Sequence, residues 1–199
     1  DDDASEANAH LEAGRVEVIQ CAYNVFQQEP EYTLFSLAQK KGVGVVARSP
    51  FSSGALTGSW KPGMRFPEGN WRATWPASIG FENWADEQAG MADAVRPIVS
   101  KAGLAMPSAA LKFVLGNPAL TSVIPGSADP DHVGQLHAVE GIEFLEPPGP
   151  EHVVQHGLGI LVAFGWRLRP QRSEASEFLL EHRFGDAPAL RERRHPGHR

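Results

Sequence analysis

Hydrophobic and polar positions along the chain switch between a helical period and a strand period several times before residue 146. Ser5–Ala13 reads as the end of a helix, closed by Gly14 just past its last turn. Arg15–Tyr23 alternates and is rich in β-branched residues, which predicts a strand. Pro30 suits the first turn of a helix over Glu31–Lys41, where Leu34, Leu37 and Ala38 share a face and Gly42 follows two lysines. Val43–Ala47 is a short unbroken apolar run, as in a strand buried on both faces. Arg48–Gly58 is a Ser/Gly-rich loop running into a short helix, and Ser59–Trp84 is long, irregular and rich in Trp and Pro. A loop of that length inside a domain is usually functional or mobile. Glu82–Lys101 is helical with a kink at Pro97, and Pro107–Leu115 is a second helix whose apolar side holds Ala110, Leu111 and Val114. Asn117-Pro118 ends it. Leu120–Ile124 is a third apolar strand, and Pro130–Ala138 a last short helix.

Strands separated by helices pair in parallel through crossovers. The expectation is therefore an α/β fold with three parallel strands near 16–22, 43–47 and 120–124 in one curved sheet, helices on its outer side. Three such strands leave edges bare, and bare edges recruit other strands. This points to part of a larger sheet or barrel, and to self-association through the exposed edges.

Composition adds a boundary. Residues 1–149 carry 10 Lys+Arg and 18 Asp+Glu, whereas residues 150–199 carry 8 Arg, no Lys and 6 acids, with five of the eight His. The change falls at Pro147-Pro148-Gly149-Pro150. We divide the chain into 1–146 and a Pro/Arg/His-rich extension, 147–199, read as an irregular tail. The net charge of −6 argues against a nucleic-acid surface. The longest apolar run, Leu158–Trp166, is far shorter than the roughly 20 residues of a membrane span. Neither a membrane segment nor a signal peptide is read at Asp1-Asp2-Asp3, and the expected location is cytoplasmic. Cys21, the one cysteine, reads as a packed thiol and not a nucleophile. His152 and His156 are four apart but lack the Glu of HExxH and a third ligand, so no metal site is assigned.

Candidate chemistry lies after the strands: Gln20–Asn24 after the first, Ser49–Gly54 after the second, Pro125-Gly126-Ser127 after the third. In a (β/α) barrel all three open onto the C-terminal face, where active sites lie and late loops hold phosphate. Small residues let backbone N–H groups approach an anion, and Ser hydroxyls add donors. Neither GxGxxG nor GxxxxGK[ST] occurs.

The blocks IQCAYN, GVGVVARSPFSSGALTG and PSAALKFVLGNPALTSVIPGSADPD, in that order, resemble the later strands of an aldo-keto reductase over roughly Ser5–Glu146. The resemblance implies a partial TIM (β/α)8 barrel: its sixth, seventh and eighth strands with their helices. It also implies a nicotinamide cofactor, NADP or NAD, bound without a Rossmann domain, and reduction of a small aldehyde or ketone in the intact protein. By resemblance Gln20 meets the nicotinamide carboxamide. Ser49, Pro50, Phe51, Ser53 and Gly54 wrap the pyrophosphate. Gly126 and Ser127 hold the adenosine ribose, while His132 and Gln135 reach the 2′-phosphate and adenine. Arg48 stands where many members stack an aromatic ring on nicotinamide. The 59–84 loop corresponds to one that closes over the cofactor, its tryptophans reading as packing anchors.

The family's catalytic Asp, Tyr, Lys and His come from the first half of the barrel, and neither Tyr23 nor Tyr32 matches the catalytic acid. The chain as given is therefore expected to supply cofactor loops and no proton donor. Positions 126, 128 and 132 carry no Lys or Arg, and Leu136 replaces an Asn that meets adenine, which leaves NADH and NADPH both open. The competing reading is a non-catalytic remnant or nucleotide-binding module acting through partners.

Overall fold

Alternation within the strands decides which side of the sheet the helices cover. The computed structural model describes residues 4–78, 80–127, 131–132, 136, 142–145 and 165–168. Strands β1 (Val18–Ala22), β2 (Gly44–Arg48) and β3 (Ser122–Ile124) are parallel neighbours. The register runs Gln20↔Val46↔Ser122 and Ala22↔Arg48↔Ile124. Side chains of a strand alternate between faces. Val45, Ala47 and Val123 are fully buried on one face, with Ile19 and Cys21 packed beside them. Each buried valine contributes about 1.5–3 kcal/mol. On the other face Val18 is 59% exposed and Gln20 is exposed. Burial of the second strand on both faces is thus corrected. Val45 and Ala47 are sealed in the main core while Gly44 and Val46, on the opposite face, are half-buried.

Helix α1 (Ala4–Glu12) precedes β1, and α2 (Pro30–Thr33) and α3 (Phe35–Lys41) cross to β2. The single helix expected over 31–41 breaks at Leu34, whose amide still closes a turn onto the Pro30 carbonyl. Gly42, at φ 69°, ends α3: its N–H bonds Gln39 and the Val43 N–H bonds Ala38. That left-handed turn suits glycine, and Lys40 and Lys41 sit at the negative end of the helix dipole.

Between β2 and β3 lie a 3-10 turn (Ser52–Thr57), α4 (Trp71–Ser78), α5 (Trp84–Lys101) and α6 (Met106–Leu115). The irregular 59–84 loop therefore holds a helix, α4, which the density of Pro and Trp concealed. Helix α5 runs as one helix through Pro97. Every residue of α6 from Ala109 to Leu115 is buried, and its core neighbours include Val95 and Val99 of α5. Among the described residues no single helix is long and apolar enough to cross a membrane.

The sheet continues past β3. Strands β4 (Ile142–Leu145) and β5 (Gly165–Leu168) form an antiparallel pair, and β5 also pairs antiparallel with β3, giving the order β1-β2-β3-β5-β4. The tail read as irregular therefore supplies one strand. Gln135, His152, His156 and most of the expected helix at 130–138 lie outside the described residues.

Candidate cofactor site

The end of β1 holds the loop after β2 in place. Asn24 is fully buried. Its Nδ2 donates to the Ser49 carbonyl and to Gln27 Oε1, both at 2.9 Å. Its Oδ1 accepts the N–H groups of Phe26 (2.8 Å) and Gln27 (3.1 Å). The Tyr23 amide donates to the Arg48 carbonyl. The β2 exit is therefore fixed before the Ser-rich loop begins.

That loop has unusual backbone geometry. Ser49, Ser52 and Ser53 have φ of 57°, 44° and 59°, and they are the only non-glycine residues at positive φ among those described. Each such residue costs of order 1–3 kcal/mol, and such strain clusters at functional sites. Gly54 follows at φ 111°, where a Cβ would come 3.3 Å from Trp60 Nε1. Backbone that swings repeatedly into the left-handed region forms concave surfaces lined by N–H groups, which bind anions.

Neighbours hold this shape from several sides. Ser52 Oγ donates to Gln88 Oε1 of α5 at 2.7 Å, and Arg72 Nε of α4 donates to the Ser53 carbonyl at 2.7 Å. The Gly63 amide donates to Asp86 Oδ1, and Arg96 reaches the Gly58 carbonyl. A second small core, Ala55, Trp60 and Ala89 with Phe66 and Trp84 against it, lies under the excursion. Trp60 stacks edge-on with Phe66 (4.9 Å) and Trp84 (5.5 Å). Two tryptophans thus anchor the excursion as expected, whereas Trp71 and Trp75 stay exposed.

Arg72 is the residue that sequence reasoning missed. Its guanidinium lies 4.7 Å from the Trp71 ring centroid, and burial lowers its pKa. An Arg fork can stack on an aromatic face while donating in plane. The signal in the sequence is a single Arg set among tryptophans, which points to stacking but not to the carbonyl it grips.

The expected site residues separate into groups. Pro50 and Phe51 are buried, Phe51 within the main core, so they contribute backbone and not side chain. The hydroxyls of Ser49 and Ser53 and the amide of Gln20 have no protein partner among the described residues. Gln20 shares the open face with Arg48, half-buried and level with Ala22 and Ile124. Gly126 and Ser127 leave β3 just past Ile124, at the same end of the sheet as Ser49, and are exposed, as is His132. Spare Ser hydroxyls beside a left-handed backbone suit phosphate oxygens, and an uncommitted amide on the open face suits a carboxamide. The residues present therefore fit a nicotinamide dinucleotide.

Tyr23 points the other way. Its ring packs against Phe35 and Phe113 in the helix-covered core. Its hydroxyl donates to Glu31 Oε1 and accepts from Asn117 Nδ2. Burial first, then the Glu31 carboxylate, push its pKa well above the ordinary phenol value. Among the described residues no group of three His, Cys, Asp or Glu is placed to hold a metal ion.

Parallel strands joined by crossover helices, with a Ser/Gly-rich loop of left-handed backbone at the strand ends, define a segment of an α/β fold. The model of the aldo/keto reductase family matches residues 2–145, and the chain belongs to that family. It is 31% identical over 124 residues to a putative voltage-gated potassium channel subunit beta of Schizosaccharomyces pombe, covering 61% of this chain and 35% of that protein. It is 25% identical over 146 residues to an NADH-specific methylglyoxal reductase of Escherichia coli, covering 72% and 43%. Among solved structures, a glycerol dehydrogenase from Gluconobacter oxydans superposes with a TM-score of 0.55 at 21% identity, covering 69% of this chain and 41% of that one. The chain thus spans about two fifths of the length of these relatives.

Proposed function

We propose that this chain provides the cofactor-holding part of an NAD(P)H-dependent carbonyl reductase. The observation that carries this reading is the run of left-handed serines at 49, 52 and 53, pinned by Asn24, Gln88 and Arg72, with the hydroxyls of Ser49 and Ser53 unpartnered among the described residues. In this reading Ser49, Ser53, Gly54 and the backbone of Pro50 and Phe51 hold the pyrophosphate. Gln20 orients the nicotinamide carboxamide on the open face, with Arg48 beside it. Gly126, Ser127 and His132 take the adenosine end, where the family resemblance also assigns Gln135. The excursion anchored by Trp60 and Trp84 excludes water from the pyrophosphate.

The chemistry that a bound reduced nicotinamide supplies is hydride delivery to a carbonyl carbon. The oxygen also needs a proton from a nearby donor of suitable pKa. Tyr23 does not fill that role, since Glu31 holds its proton on the helix side of the sheet. We therefore assign the chain binding and orientation, and the proton donor to the first half of a complete barrel. With no Lys or Arg at 126, 128 and 132, the reading favours neither NADH nor NADPH strongly.

A second reading is a nucleotide-binding module that acts through partners. It is favoured by relatives whose names describe potassium channel beta subunits. Titration with both cofactors, followed by a turnover assay on a panel of aldehydes, separates the outcomes. Cofactor binding without turnover is the result expected of the chain alone. Robust turnover overturns the assignment of the proton donor. Binding of neither cofactor overturns both readings and leaves a non-catalytic remnant.

A further inference from the structure

We propose that β5 is an intramolecular cap on the outer edge of β3, occupying the place where a parallel strand continues the sheet of a closed barrel. A (β/α)8 barrel has no free edge, because its last strand pairs in parallel with its first. Here the strand beyond β3 is β5, and it runs antiparallel, with Val123 opposite Trp166. Strand β5 in turn pairs with β4 from Ile142↔Leu168 to Leu145↔Gly165, and α6 lies against it. The 165–168 segment is thus held by β4 as well as by the β3 edge.

The hydrogen-bonding accounts show what the cap occupies. The Thr121 amide donates to the Val45 carbonyl at 2.9 Å, toward β2. Along a strand, successive N–H groups point to opposite edges. Val123 therefore also faces β2, and the amides of Ser122 and Ile124 point to the β5 side. Each amide has one hydrogen to give. A parallel strand and β5 cannot both use Ser122 and Ile124, so the complete barrel assigned above closes at this edge only when β5 leaves it. Capping also answers the hazard of an unpaired edge, which otherwise templates association.

The cap has a position-specific test in hydrogen exchange on the full chain. The Ser122 and Ile124 amides are expected to be protected, and Trp166→Pro, which distorts β5 opposite Val123, is expected to speed their exchange at least tenfold. Thr121 and Val123, bonded toward β2, keep their protection. Cross-linking gives a second readout that does not depend on the proline variant folding. With their amides turned away from each other, residues 123 and 166 form the close kind of antiparallel pair, with Cα atoms about 4.5 Å apart, within disulfide reach. In a Cys21→Ser background, Val123→Cys with Trp166→Cys is expected to cross-link under oxidised glutathione, whereas Val123→Cys with Arg167→Cys stays reduced. Rapid exchange of Ser122 and Ile124 in the unaltered chain overturns the cap, as does cross-linking no better at 166 than at 167.

Discussion

Asn24 Nδ2 donates to the Ser49 carbonyl across 2.9 Å, joining the exit of β1 to the first left-handed residue of the loop after β2. An Asn two residues past a strand thus sets the direction in which the neighbouring strand's loop departs. The geometry of the candidate cofactor loop is therefore a property of the sheet, and not of the loop sequence alone.

Asn24→Ala removes four hydrogen bonds at a fully buried position; the Ser49 carbonyl keeps the Ser52 amide and the Gln27 amide keeps the residue-24 carbonyl, but the Phe26 amide loses its partner. Unsatisfied buried groups cost about 1–3 kcal/mol each, partly recovered by relaxation and water. The variant is expected to lose about 2–3 kcal/mol of stability, read from urea unfolding. It should also weaken cofactor binding, because Ser49 loses the contact that fixes its conformation.

Arg72 separates charge from geometry. Arg72→Ala releases the Ser53 carbonyl and the stacking on Trp71, and cofactor affinity should fall roughly tenfold, about 1.4 kcal/mol. Arg72→Lys keeps the charge but has no planar fork to stack and donate together. Isothermal titration should place the Lys variant near the Ala variant. Full affinity in the Lys variant shows that charge alone is at work.

The Tyr23 proton gives stability a pH dependence of known sign. Its folded pKa is raised above the ordinary 10.0, by burial first and then by Glu31. Below about pH 10 both states keep the proton and the contribution is constant. Above it the unfolded chain ionises while the folded chain does not, so the folded state binds more protons and stability falls as pH rises. Urea midpoints between pH 8 and 11 are expected to decline from about pH 10 upward. Tyr23→Phe should flatten the decline while costing about 1–2 kcal/mol near neutrality through the lost hydroxyl contacts.

The order of strands was readable because apolar alternation and β-branched runs depend on burial alone, and Gly42 marked its helix end through a conformation that suits glycine. What stayed hidden was tertiary. The break at Leu34 comes from packing, and α4 sits where Pro and Trp suggest a coil. The open face of β2 depends on what else covers the sheet, which its run of valines does not encode. The pairing of β5 with β3 links residues more than 40 positions apart, and no local pattern announces it. Ser49 and Ser53 were legible as candidates through small-residue composition. Arg72 was not, because its partner is a backbone carbonyl of a distant loop.

The central claim is that the 49–54 loop holds the pyrophosphate of a nicotinamide cofactor, and calorimetric titration of the full chain with NADH and NADPH, repeated on Gly54→Val, tests it most directly. Valine at Gly54 must adopt φ near 111° and brings a Cβ to about 3.3 Å from Trp60. The account predicts that both cofactors bind the unaltered chain within severalfold of one another and that Gly54→Val abolishes binding while the far-ultraviolet circular dichroism is retained. Equal binding by the folded Gly54→Val variant, or no binding by the unaltered chain at millimolar cofactor, contradicts it.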